Sequence, residues 1–461
     1  MRVDRLDKTV LIVVAVLAFG FVFFLLRGDQ VGAQIIRSNP AANAQNVPAR
    51  SPISLIFSEP MLTPTLDGKL SLQPNVSGTL HWSGVTAVFV PSVALQPDTE
   101  YQLIVKAGAT STRGRSVLHD QVIRFRTSRP RLAYLSPSNG TSDIFVTGLE
   151  PNASVQRLTS EPFGVHSYAI SPDGTRLAYA AKRDADGAMD LWLVNTDGGT
   201  GSANREPLLR CDDQVCQYPA WSADGMRIAF EQHNLIKGKL GNSPGPSRIY
   251  LLDVASKNAY PLIEDSQRQG FLPRWSPMGD KLAFYDSTQS AVIVADVATA
   301  DQIQLPSVYG DSGTWSPDGA HLIFSELVPV EDRRYNQLLR ADLARNVITP
   351  VLPLSVTNDI LGVYSPSGDR IAFGRQARNK LAGFGSQIWM ANADGGNAHA
   401  LTQDAGVNYG AIGWSADGQW LVSLRWDLNT PNAVPEVWLV NSTTSERRKL
   451  LTDAWQPVWF P

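Results

Sequence analysis

Cysteine is nearly absent: the 461 residues hold two, Cys211 and Cys216, too few for a disulfide scaffold or a four-cysteine zinc site. An excess of one charge is lacking too. Forty basic side chains against forty-three acidic ones leave a net charge of −3, so the phosphate-neutralising basic surface that a nucleic-acid binder needs is missing. The six histidines (81, 119, 166, 233, 321 and 399) are scattered, with no His-Glu-x-x-His pair and no Gly-x-Ser-x-Gly elbow in the chain. Zinc hydrolysis and α/β-hydrolase chemistry therefore have no motif to stand on. Charged residues are only 18% of the chain and methionines only six, while 36 glycines, 30 prolines and 12 tryptophans supply turns and rings. That balance predicts an all-β protein. The 43% apolar content is enough for packed cores, and the length predicts about two to four domains.

One long hydrophobic run is present. Val10 to Leu26 is uninterrupted apolar sequence between Lys8 and Arg27, at the short end of the roughly 17–25 residues that span a bilayer. Arg2, Arg5 and Lys8 precede it, so the positive-inside rule predicts a single-pass anchor in the cytoplasmic membrane, its N-terminus inside and all later domains outside. The alternative is a cleaved signal peptide ending near Val31-Gly32-Ala33. With no cysteine beside this segment, a lipoprotein is excluded. Residues 1–33 are read as this anchor region, 34–128 as a sandwich and 129–461 as a repeat domain.

From Gln34 to Thr127 short alternating strands are separated by turn residues; Tyr101, Leu103 and Val105 fall on one face. Several short strands without a helical stripe predict a β-sandwich. The run SNPAANAQNVPARSPISLIFSEPM (Ser38–Met61), then FVPSVALQPDTEYQLIVKAG and the closing FRT, resembles the bacterial Ig-like domain of surface-layer and cell-wall proteins. The resemblance implies a spacer or interaction module. Glu59 in FSEPM reads as a turn residue after a strand.

The remaining two-thirds repeats itself. YAISPDGTRLAY begins at Tyr168, PAWSADGMRIAF at Pro219, PRWSPMGDKLAF at Pro273, GTWSPDGAHLIF at Gly313, GVYSPSGDRIAF at Gly362 and IGWSADGQWLVS at Ile412. The period of roughly 40–55 residues is that of propeller blades. In each unit a strand ending in an aromatic meets a turn where Pro fixes φ and Gly supplies positive φ, and an apolar strand leaves it. Third strands (DLWLVN, RIYLLDV) and fourth strands (HALT, KLLT) follow, four per blade. Arg131 to Thr159 holds strands two to four without a first, and Gln456 to Pro461 is a first strand without the rest. Joining them predicts a seventh blade shared by both ends and a ring without an open edge. The stretch IWMANADGGNAHALT beside WSPDG resembles the TolB-type, WD-repeat-like propellers; that family's prototype has six blades, so a seventh is a departure. The fold class expected is all-β: an N-terminal transmembrane helix, an Ig-like sandwich, then a seven-bladed propeller closed by its terminal strands.

Length concentrates in the loops between second and third strands, 232–247, 327–336, 375–386 and 425–435, all on one face, and one-sided insertions in repeat folds mark binding faces. These loops carry His233, Lys237, Lys239, Arg333, Arg334, Tyr335, Arg375, Arg378, Lys380, Phe384 and Trp426, basic and aromatic groups suited to an acidic protein patch or an anionic or carbohydrate-bearing wall polymer. Strand-one aromatics (Trp221, Trp275, Trp315, Tyr364, Trp414, Trp459) recur at one position and read as inter-blade packing.

Three features look chemical. Gly310-Asp311-Ser312-Gly313 has the form of a serine-protease signature, but a triad is recognised by geometry. Asp184, Asp186 and Asp190 offer hard oxygens to calcium without the EF-hand spacing. Cys211 and Cys216 are expected to form a small local disulfide in an exported chain. The sequence predicts no cofactor and a non-enzymatic envelope binding or scaffold protein, membrane-held, with an envelope protein or cell-wall polymer as partner. The alternatives are a hydrolase- or lactonase-like propeller enzyme with its site at the channel mouth, and a purely structural wall component. For an enzyme, the strand-one starts offer Tyr168, Tyr218, Leu272, Gly313, Leu361 and Gly410, a poor acid–base set.

Overall fold

The computed structural model describes residues 14, 16–19, 32–49, 51, 53–150, 152–183, 187–197, 205–238, 241–377 and 385–461. The expected membrane helix requires correction: among the described residues no helix is long and apolar enough to cross a membrane. Most of the Val10–Leu26 run lies outside the described residues. A single-pass place in the cytoplasmic membrane is therefore not retained.

The chain divides into two compact units, one holding Met1–Gln45, Pro52–Pro91 and Glu100–Arg126 and the other Asn46–Ser51, Ser92–Thr99 and Thr127–Pro461. In the first, two four-stranded antiparallel sheets form a sandwich. Strand Ile53–Phe57 buries Ile53, Leu55 and Phe57, and strand Glu100–Val105 buries Tyr101, Leu103 and Val105. The period of two sends alternate side chains inward, and Tyr101 stacks on Phe125 at 5.7 Å. Glu59 lies in a bend after the first of these strands but is only 4% exposed. Both its carboxylate oxygens lack hydrogen-bond partners, and Arg115 Nε stands 4.0 Å from one of them.

The second unit is a ring of seven blades, each an antiparallel run of four strands. The innermost strands of the six whole blades, numbered one to six in chain order, are Val165–Ile170, Gln214–Trp221, Phe271–Trp275, Thr314–Trp315, Thr357–Tyr364 and Val407–Trp414. The seventh is Trp455–Trp459, which pairs with Arg131–Ser136 through Trp455↔Leu135, Val458↔Ala133 and Trp459↔Leu132. The last strand of the chain thus completes the blade begun at residue 131. A single parallel bridge, Met189↔Val215, links the sheets of blades one and two.

Second strands explain how blades stack. In RIAF (Arg227–Phe230), Ile228 and Phe230 pack on Ala178, Ala180, Leu191 and Leu193 of blade one. Ala229, on the opposite face, packs with Leu282 and Phe284 of blade three. Ala283 likewise receives Leu322 and Phe324 of blade four, and Ala133 receives Leu177 and Tyr179. Large side chains of one blade pack against small ones of its predecessor, which fills the wedge between twisted sheets. Indoles tie the same joints: Trp221 Nε1 donates to Ala169 O at 3.1 Å, Trp275 to Ala220 O at 3.0 Å, Trp414 to Val363 O at 3.2 Å and Trp459 to Gly413 O at 3.1 Å.

The long insertions need a second correction. Much of what reads as loop is β-hairpin: the second strand of blade two runs from Arg227 to Gly238 and pairs with Gly241–Pro244. In blade four, His321–Val330 and Arg333–Asp342 pair up to Val330↔Arg333. Strands Arg370–Ala377 and Trp420–Asp427 extend similarly. The Val, Leu and Ile residues in these insertions carry the ladder past the blade body.

Deleting Trp455–Pro461 is expected to abolish the single cooperative unfolding transition of the propeller and to cause concentration-dependent aggregation, since Arg131–Ser136 becomes an unpaired edge. Phe284→Ala, at a residue 2% exposed, is expected to cost about 3–5 kcal/mol. Urea unfolding followed by tryptophan fluorescence and light scattering checks both.

Candidate functional site

The innermost strands converge on a central channel, and their backbones are irregular at one recurring place. Tyr218, Leu272, Leu361, Ala411 and Gln456 adopt φ values of 50°, 55°, 58°, 51° and 47°. Each stands three residues before the strand-one aromatic (Trp221, Trp275, Tyr364, Trp414, Trp459). Each falls within a register shift of the inner ladder, such as Gln217/Ala220 and Ile360/Val363. Left-handed backbone costs a non-glycine residue about 1–2 kcal/mol. Such strain, and the bulges that hold it, cluster where proteins aim side chains at ligands. Here Leu272, Leu361 and Ala411 are exposed.

Two of the bulges have visible supports. The Tyr218 N–H donates to Ser167 Oγ at 2.9 Å, across the joint between blades one and two. The Leu272 N–H donates to Glu231 Oε1 at 2.7 Å. Glu231 is 2% exposed, and its other oxygen accepts from Gln217 Nε2 at 3.2 Å and Ser247 Oγ at 3.5 Å. Burial pushes its carboxyl above the usual glutamate range, against those hydrogen bonds. The residue after the second-strand aromatic is Ala180, Tyr285, Ser325 and Gly374 in blades one, three, four and five. Glu231 is the carboxylate at that position, a signal visible once the repeats are aligned, yet sequence reading passed over it. His166 meets the Tyr218 ring edge-on at 5.3 Å; burial and then Lys182 hold its imidazole below the ordinary value.

At this mouth a cavity of about 630 Å³ is lined by Tyr218, Leu272, Arg274, Thr314, Gln456 and Val458 among others, a size within the common range for small-ligand sites. Of the strand-one starts considered above, Tyr168, Tyr218 and Leu272 reach this cavity. Leu361 shares the left-handed backbone of Tyr218 and Leu272 at its own strand.

The residues singled out on the insertions are dispersed in role. Arg333 and Arg334 are exposed at the tip of the blade-four hairpin. Tyr335 is 8% exposed. Arg375 is held by Asp359 through two bonds of 2.7 Å and lies over the Trp389 ring at 4.6 Å. Trp426 packs in the core between blade six and the shared blade. His233 is half-buried in a strand, where burial lowers its pKa. Lys237 lies in the blade-two hairpin, while Lys239, Arg378, Lys380 and Phe384 fall outside the described residues. The buried and paired members belong to the framework because a hairpin that continues a blade also continues its inward alternation.

A disulfide joins Cys211, in the link that enters blade two, to Cys216 of that blade's innermost strand. Asp190, from the calcium candidates, is 6% exposed and accepts the Cys211 N–H at 2.8 Å; Asp184 and Asp186 fall outside the described residues. Ser312 of the protease-like string is fully buried and accepts from Arg274 Nε at 3.2 Å. Asp311 beside it accepts the Gly313 N–H at 2.9 Å. That string is a turn held by its own side chains.

Residues 29–127 match the model of the bacterial Ig-like domain family. No curated protein matches the chain. Among solved structures, TolB from Acinetobacter baumannii is similar at 14% identity and a TM-score of 0.42, covering 94% of this chain and 100% of its own. An oligogalacturonate lyase from Vibrio parahaemolyticus is similar at 12% identity and a TM-score of 0.47, covering 70% and 87%.

Because the Glu231 carboxyl titrates above its unfolded value, the native state holds a proton that the unfolded chain has released. Stability is therefore expected to fall as pH rises from the unfolded glutamate value, near 4.5, to the raised folded one. Glu231→Gln, which keeps an acceptor for the Leu272 N–H, is expected to remove that part of the slope. Urea midpoints measured from pH 4 to 8, at roughly half-unit steps, check it.

Proposed function

We propose that this protein is a binding module of the bacterial cell envelope that receives its partner on the hairpin-bearing face of the propeller, at the channel mouth. The carrying observation is the recurrence of a left-handed residue at the same place on five inner strands, with Tyr218, Leu272 and Gln456 lining the cavity at the mouth and Leu272 and Leu361 exposed. An apolar side chain left exposed at the mouth serves no core, and a partner that covers it gives it a use. The Ig-like match at residues 29–127 supports an envelope role. The Cys211–Cys216 disulfide suits a compartment where thiols oxidise. Binding rather than catalysis is favoured because the nearby carboxylates are engaged: Glu231 and Asp311 hold backbone N–H groups in place.

Photo-crosslinking tests this reading. A benzophenone side chain placed at Leu361 or Leu272 is expected to form adducts with an envelope component of the host cell. The same probe at Met226, just after one Ser-x-x-Gly turn, or at Met278, within another, 65% and 76% exposed, is expected to form none. Equal labelling from both sets of positions overturns the assignment of the face.

A further inference from the structure

The channel changes character along its length. On the hairpin side, the one charged side chain among the described residues in the wall of the 630 Å³ cavity is Arg274. It is exposed, its side chain bonds through Nε to Ser312 Oγ at 3.2 Å, and no carboxylate among the described residues lies within ion-pair reach of it. Tyr218 and Gln456 add a phenol and an amide to the same wall. Toward the turn side the passage continues into a space of about 650 Å³. The two spaces share Tyr168, Ala169, Thr314, Trp315 and Val458. Among the described residues no charged one lines the second space; Ile170, Val363, Trp414 and Phe460 do, with prolines 172, 317, 366 and 461.

Several arginines of this propeller are matched by carboxylates. Arg375 is matched by Asp359, Arg205 by Glu161 and Arg447 by Asp404. A guanidinium on an otherwise uncharged wall offers an anion a charge-assisted hydrogen bond, stronger than a neutral one. From this juxtaposition we infer that the channel binds a narrow apolar ligand ending in a single anionic group. The anion sits at Arg274 and the apolar body lies against the uncharged half beyond it. The inference rests on the proposed function, which makes the hairpin face the side of entry.

The chemistry fits a peptide ending in a free α-carboxylate or an acyl-chain carboxylate, and one titration separates the two. Trp221, Trp275 and Trp315 line the cavity, so their fluorescence reports occupancy. Acetyl-Leu-Val-Phe is compared as free acid and as amide, and decanoate is compared with decanol. One of the acids is expected to bind saturably, about tenfold or more tightly than its uncharged counterpart. Arg274→Gln is expected to erase that preference while leaving thermal unfolding unchanged, and Arg274→Lys to retain most of it. Whichever acid binds names the ligand class. Equal affinity for charged and uncharged forms, no saturable binding by any of the four, or a preference that survives Arg274→Gln overturns the inference. Adducts at Leu361 without an acid preference leave the face assignment standing and remove the channel ligand. An acid preference without such adducts does the reverse.

Discussion

The innermost strand of every blade is a sheet edge facing the channel, and its free carbonyls have no next strand to bond. The indole at the end of the following blade's inner strand meets this need: Trp315 Nε1 reaches Arg274 O at 3.1 Å, as Trp221, Trp275, Trp414 and Trp459 reach their own neighbours. One bond satisfies an orphan acceptor and fixes the spacing of two sheets. Guanidinium groups cap several of these rings, Arg176 over Trp221 at 5.3 Å, and Arg227 over Trp275 and Arg370 over Trp414 at 5.1 Å. Where the tryptophan is missing, another donor takes the work. Blade one ends its inner strand in Ile170, and Tyr168 there donates its hydroxyl to Gln456 O at 2.6 Å across the seam of the ring. Blade five has Tyr364, and Thr314 Oγ1 of blade four donates to Gly362 O.

This edge bonding also accounts for the left-handed residues. An inner strand whose aromatic is pinned to the previous blade, and whose start is fixed by its link, must absorb the difference in length. A bulge absorbs it. The bulge sits three residues before the aromatic in five blades, so strain is a by-product of closing the ring and falls at the channel mouth by geometry. The sequence chooses only the side chains placed there, and Leu272, Leu361, Ala411, Tyr218 and Gln456 share no single chemical type.

The blades were legible because each repeats a turn that chemistry fixes. The Ser-Pro-Asp-Gly turn closes on itself: Ser171 Oγ meets Asp173 Oδ1 at 2.5 Å, and Gly174 takes positive φ. The alternation in RIAF reads directly as large side chains facing one neighbour and small ones the other. The hairpins were harder to read, since Leu327 to Asn336 carries Pro329 and four charged residues, composition that suits a loop. The ladder forms because its backbone groups lie beside an existing strand pair, a tertiary cause that local composition does not record. Glu231 escaped notice for a related reason: nothing in FEQ signals burial until the strand is set beside Leu272 N–H. Arg274 passed unnoticed because PRWSP looks like one more repeat.

Repetition and departure from it divide the labour in this ring. Positions that face another blade must be filled alike in every unit, so their residues speak of packing and seldom of function. Positions that face the channel have no such partner, and there the units differ freely: Ala169, Ala220, Arg274, Thr314, Val363, Gly413 and Val458 line up around one circuit. Six of these are small, apolar or hydroxylated and one is a cation. Holding a guanidinium against the channel wall costs desolvation unless water or an anion stays with it. Replacement by a neutral residue would relieve that cost without disturbing the joints between blades, since only Ser312 is bonded to the side chain. The residue that breaks the circuit is therefore the one whose presence packing does not explain, and the asymmetry it creates gives the channel a direction.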